Sequence, residues 1–281
     1  MNYTLGIYEK ALPDNLSWEE KFRIAKDNDF DFIEISIDES DERLKRLDWT
    51  KEDRLNLLKL SREMELPFGS MCLSGHRKFP LGSLDEATRK KSLEIAEKAI
   101  DFALDLGIRI IQLAGYDVYY EETTEETRKY FLEGLSKVVS MATSKGVILG
   151  FETMETPFMD TVTKAMDYVQ KINSPYLGVY PDCGNLNNAS ILYGSDLYED
   201  MEVGAGHIFA LHLKETKPGI YRNMLFGQGE VDFDRVIEKA KNLGINRFVT
   251  EFWYLGNENY LEDVKFQNSF IREKLDKCFR R

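Results

Sequence analysis

Four short aliphatic runs in the second half of the chain each stop on a side chain suited to proton or metal chemistry. Val147-Ile148-Leu149-Gly150-Phe151 stops on Glu152, and Leu177-Gly178-Val179-Tyr180-Pro181 stops on Asp182. Ile208-Phe209-Ala210-Leu211 stops on His212, and Arg247-Phe248-Val249-Thr250 on Glu251. Successive stops are 30, 30 and 39 residues apart, close to the length of one strand-plus-helix unit. Short apolar runs of this kind read as buried strands. A carboxylate at the end of a buried strand must be paired, hydrogen-bonded or bound to metal, because burying it bare is prohibitive.

The same alternation starts at the N-terminus. Earlier strands are expected at residues 3–8, 32–37, 67–73 and 108–113, and Gly146 opens the fifth. Helices are expected at 18–28, 51–63, 85–106, 125–145, 161–172 and about 233–243, with a charged C-terminal helix at about 262–281. Ser17 and Thr50 stand where N-caps belong. Leu93, Ala96, Ile100, Ala103 and Leu104 share one helical face. Residues 38–48, 74–82 and 114–124 read as loops, and 185–206 is the least patterned segment, with a helix suggested at 196–203. Eight strand-then-helix units of roughly 35 residues suit an α/β fold of the (β/α)8 TIM-barrel type, one domain over residues 1–281. An open doubly wound sheet also alternates strand and helix, but the unbroken count of eight favours the closed barrel.

Composition narrows the function. With 49 acidic against 37 basic residues the net charge is −12, which argues against a nucleic-acid surface. The three cysteines, Cys72, Cys183 and Cys278, are scattered and form no CxxC, so a reducing compartment is expected rather than a disulfide framework. No signal peptide or membrane-spanning stretch is legible, and the expectation is a cytoplasmic protein without a membrane partner.

In a barrel the strand C-termini share one rim, where the chemistry sits. Adjacent parallel strands lie about 4.8 Å apart, so Glu152, Asp182, His212 and Glu251 can converge on one ion. Three carboxylates and an imidazole suit a divalent metal ion such as Zn²⁺, Mn²⁺, Co²⁺ or Mg²⁺ without choosing among them. Taken singly, each of the four reads more simply as a helix cap or an ion-pair partner. On four consecutive strands the metal reading is the stronger. His207 falls at the opposite end and face of its strand and reads as structural. His76, just past the third strand, reads either as a surface-loop histidine or as a substrate-binding residue.

Further stretches carry a family resemblance. They are GIYEKALP (6–13), DESDERL (38–44), RLDW (46–49), MCLSGHR (71–77), FPLGS (79–83) and IQLAGYDVYY (111–120). YPD (180–182), GNL (184–186), HLK (212–214), TKPG (216–219) and the segment from Phe226 to Phe233 agree with them. Together they resemble the bacterial L-ribulose-5-phosphate (L-xylulose-5-phosphate) 3-epimerases of pentose and ascorbate breakdown. The resemblance runs to about Trp253. Its metal arc is shared with other xylose-isomerase-like barrels, including ketose 3-epimerases and hydroxypyruvate isomerases.

The resemblance implies a metal-dependent homodimeric isomerase acting on a small phosphorylated ketopentose. It carries the metal ligands onto Glu152, Asp182, His212 and Glu251, and proton transfer onto Glu152 and Glu251. L-xylulose 5-phosphate and L-ribulose 5-phosphate would interconvert by proton removal and return at C3 through a cis-enediolate stabilised by the metal. Lys10, Arg77 and Lys217 are the rim cations expected to meet the phosphate. Rival readings are a hydroxypyruvate isomerase, an epimerase of unphosphorylated ketoses, an abasic-site endonuclease and a non-catalytic sugar-phosphate binder. Three histidines and an acidic chain disfavour the endonuclease. A binder has no need of two glutamates facing one ion.

Overall fold

In the computed structural model, which describes residues 3–279, the apolar runs form strands and the amphipathic stretches between them form helices. The first half comprises β1 Thr4–Tyr8, α1 Trp18–Asp27, β2 Phe32–Ile37, α2 Asp41–Lys45, α3 Lys51–Glu63, β3 Phe68–Leu73, α4 Glu86–Asp105, β4 Ile110–Ala114 and α5 Glu125–Lys145. The second half comprises β5 Ile148–Glu152, α6 Val162–Ile172, β6 Leu177–Val179, α7 Cys183–Tyr193, α8 Leu197–Val203, β7 Leu211–Leu213, α9 Phe233–Asn242, β8 Arg247–Thr250 and α10 Tyr260–Phe279. Caps set several boundaries. Ser17 with Glu20, and Thr50 with Asp53, close reciprocal capping boxes on α1 and α3. Gly146 ends α5 in the left-handed region at φ 67°, so the fifth strand begins at Ile148 rather than at Gly146.

The strands are all parallel, in the order β6-β5-β4-β3-β2-β1-β8-β7. The two ends of this sheet meet. Val179 N donates to His207 O at 2.8 Å, Phe209 N to Val179 O at 3.0 Å, and His212 N to Pro181 O at 2.9 Å. The ring is therefore closed, and every strand C-terminus lies on one rim. Aliphatic side chains from the outer faces of the strands pack under the helices as the main core. Inside the ring, space is tight at the end away from the rim. A Cβ on Gly6 would fall 2.2 Å from the Phe32 ring, so glycine there lets that ring fill the floor of the barrel. Above it the interior turns polar, with Glu34, Ser70, Gln112, Tyr180 and His212 all buried.

Four expectations need correction. Residues 38–48 are not a loop but α2 followed by a 3-10 turn over Arg46–Asp48. Ser40 caps α2, and the charges that suggested a solvated loop turn inward. Arg43, Arg46 and Lys21 surround the buried Glu9 carboxylate at 2.8–2.9 Å. Burial opposes ionisation of Glu9, but these three cations outweigh it and hold its pKa at about 2. Residues 185–206 hold two helices, not one. The first seven residues of α7 are all buried, so the segment has no amphipathic stripe to read. His212 lies within the β7 ladder to β8 rather than beyond it, because residues 207–210 bridge to β6 instead. The C-terminal helix begins at Tyr260, and positions 280–281 of the expected span lie outside the described residues.

Candidate active site

The rim brings Glu152, Asp182, His212 and Glu251 together, with one donor atom from each within 4.8 Å of the others and all four residues buried. Glu152 is the last residue of β5, and Glu251 directly follows β8. Asp182 is the N-cap of α7, and its Oδ1 accepts from Asn185 N at 2.6 Å. That capping role is the simple reading of an acid at a strand end, and it leaves Oδ2 unexplained. Oδ2 is buried with no N–H or O–H donor reaching it. The His212 ring spans the barrel interior. Nδ1 lies 2.7 Å from Glu251 Oε2 and 3.9 Å from Glu152 Oε1, while Nε2 lies 2.5 Å from Glu34 Oε1. Lys214, two residues after His212 and on the same strand face, places Nζ 2.8 Å from Asn185 Oδ1 and 3.1 Å from Asp182 Oδ1.

Four carboxylates, one ammonium and one imidazole therefore share a buried space. Even with the imidazole protonated, negative charge is in excess by two. The strain appears in the acids. Burial and the Glu251 charge push Glu152 up to about 8. Burial also pushes Asp182 up, against the pull of Lys214, to about 7. Glu251 goes the other way. Burial opposes its charge, but Lys214 and His212 hold it well below the usual carboxylate range. For His212, burial disfavours the cation while Glu34 and Glu251 favour it, and the carboxylates win. A three-carboxylate, one-imidazole donor set with an orphaned carboxylate oxygen fits a divalent cation.

A cleft opens over this cluster. Its wall includes Tyr8, Lys10, Arg77, Glu155, Arg222 and Trp253 together with Glu152, Glu251, Asn185 and Lys214. At its outer end Glu155 accepts from Arg222 Nη2 at 2.7 Å, Tyr116 OH at 3.0 Å and Tyr119 OH at 3.3 Å. Arg77 donates to Tyr116 OH at 3.1 Å and lies over the Tyr119 ring. Lys10 pairs with Asp38.

Of the expected substrate-binding residues, Lys10 and Arg77 line the cleft, whereas His76 and Lys217 do not. Gly75–Arg77 forms a 3-10 turn that sends consecutive side chains apart. His76 is buried with Nε2 3.2 Å from Ser92 O on α4, and burial takes its pKa down to about 4. Lys217 is exposed at the loop edge. His207 is exposed and takes part in ring closure through its backbone carbonyl. Sequence reasoning missed Glu34, Lys214, Asn185, Glu155 and Arg222. Glu34 carried a signal. Alternation in FIEISI puts it on the barrel-interior face with Phe32 and Ser36, where a carboxylate has no packing reason to be.

Comparison with known proteins identifies the family. The family model described as xylose isomerase-like TIM barrel matches residues 22–270. The chain is 46% identical over 275 residues to the L-ribulose-5-phosphate 3-epimerases UlaE of Shigella boydii serotype 18 and Escherichia coli strain SE11, covering 98% of this chain and 95% of each relative. A solved L-ribulose 3-epimerase superposes with a TM-score of 0.80 at 20% identity, over 99% of this chain and 96% of that one, a likeness of fold. Among the described residues no helix is long and apolar enough to cross a membrane. The chain belongs to the L-ribulose-5-phosphate 3-epimerase family, isomerases built on the xylose isomerase-like TIM barrel.

Proposed function

We propose that the protein interconverts L-ribulose 5-phosphate and L-xylulose 5-phosphate by inverting carbon C3. The observation that carries this reading is the meeting of Glu152 and Glu251 at one donor cluster beneath a cleft whose wall includes Lys10, Arg77 and Arg222. Glu152, Asp182, His212 and Glu251 would hold a divalent cation, of which Zn²⁺, Mn²⁺, Co²⁺ and Mg²⁺ are the candidates. Such an ion supplies Lewis-acid stabilisation for negative charge on the sugar oxygens next to the reacting carbon.

The rest falls to side chains. Inversion requires one group to take the C3 proton and another to return a proton to the opposite face. Glu152 and Glu251 reach the cluster from β5 and from the end of β8, strands separated in the ring by β6 and β7. One of the two would take the proton and the other return one, and their roles would exchange in the reverse direction. Lys10, Arg77 and Arg222 bind the phosphate and so set the sugar's direction in the cleft. Trp253 and Tyr8 wall the cleft near the reacting end and limit water.

The family reading extends to a cytoplasmic homodimer serving pentose and L-ascorbate breakdown. An assay of the metal-supplemented protein on L-ribulose 5-phosphate and on free L-ribulose tests the function. The phosphate ester is expected to epimerise at C3 with a higher kcat/KM. Equal or better turnover of the free sugar would favour an epimerase of unphosphorylated ketoses.

A further inference from the structure

We infer that Glu34 is a positioning residue, which makes Nδ1 the His212 atom offered to the cation and strengthens the ring as a donor. This rests on reading His212 as a metal ligand. Glu34 sits inside the barrel on β2, wholly buried, and is absent from the cleft wall. Substrate does not reach it, so any effect passes through His212.

Its geometry is that of a fixed anchor. Oε1 faces His212 Nε2 at 2.5 Å. Oε2 accepts from Ser70 Oγ at 2.6 Å and from Tyr180 OH at 2.9 Å. Donors from β3, the end of β6 and β7 thus hold a carboxylate that comes from β2. The far ring nitrogen of His212, Nδ1, points at Glu251 and Glu152. The Tyr180 ring meets the imidazole edge-on at 5.1 Å between centroids.

An imidazole that gives one nitrogen to a cation carries its proton on the other. A carboxylate at Nε2 keeps the proton there and increases electron density at Nδ1. Partners of this kind typically change metal affinity by roughly 10–100-fold. A barrel in need of packing alone would place an apolar side chain at this position, since a buried carboxylate is costly.

The test titrates Zn²⁺ and Co²⁺ into metal-stripped wild type, Glu34→Gln and Glu34→Asp, by calorimetry and by the visible absorption of the cobalt form. Glu34→Gln keeps the size but loses the charge and one of the two acceptor oxygens. It is expected to bind both ions about tenfold or more weakly and to shift the cobalt bands. Glu34→Asp, charged but one methylene shorter, should fall between, and it carries the comparison if the Gln variant does not fold. Affinities within twofold of wild type with an unchanged cobalt spectrum would overturn the inference while leaving the metal site intact. Failure of wild type to bind either ion would overturn both.

Discussion

Lys214 places its ammonium 3.1 Å from Asp182 Oδ1, with both side chains buried. It is a fixed positive charge inside a group of carboxylates. Removing one partner of a buried ion pair costs about 3–5 kcal/mol, because the other is left uncompensated. Lys214→Met should therefore melt well below wild type when stripped of metal. A divalent cation replaces the lost charge, so added Mn²⁺ should raise the melting temperature of the variant more than that of wild type. Scanning calorimetry with and without Mn²⁺ checks this, and equal melting of the two stripped proteins would refute it.

Arg222 and Glu155 make a half-exposed ion pair at the outer end of the cleft. If Arg222 meets the phosphate, Arg222→Gln loses a charge-assisted hydrogen bond, worth about 1.5 kcal/mol at the low end appropriate to a solvated site. KM for the pentulose phosphate is expected to rise roughly tenfold, with kcat little changed. Steady-state kinetics on the phosphorylated and the free sugar separate this from general damage, since the free sugar should show no change.

His76 predicts an acid limb in stability away from the site. Its folded pKa of about 4 lies below the ordinary histidine value because burial disfavours the charged ring, and the contact to Ser92 O offsets this only in part. Above roughly pH 6.5 both folded and unfolded chains hold a neutral ring. As the pH falls further, the unfolded chain gains a proton that the folded one resists, so stability drops until about pH 4 and then levels off. The whole loss is on the order of 3 kcal/mol. Urea melts of wild type and His76→Gln between pH 7 and 4 should differ by this slope, and parallel curves would show that the ring is not held neutral.

The barrel was legible because its strands are short aliphatic runs and its helices carry a readable stripe or cap, as at Ser17 and Thr50. The meeting of Glu152, Asp182, His212 and Glu251 was legible because each stands at the end of such a run. The segments that misled share a cause. At 38–48, Arg43 and Arg46 look solvated in sequence but pair with Glu9, a partner from another strand-and-loop unit. In α7, burial on all sides removes the periodicity. Glu34 and His212 are 178 positions apart, and only ring closure puts them in contact. His76 and Arg77 are neighbours in one motif, and a single 3-10 turn sends one into the core and the other to the cleft.

The two-glutamate account is tested most directly by isotope exchange. The metal-loaded protein is run on L-ribulose 5-phosphate in D₂O, and C3 of the product is read by NMR early in the reaction. One deuterium from solvent is expected at C3 of each product molecule. Glu251→Gln is expected to lower the rate by roughly 10²–10⁴-fold. An inverted product that retains its original C3 hydrogen would contradict the account.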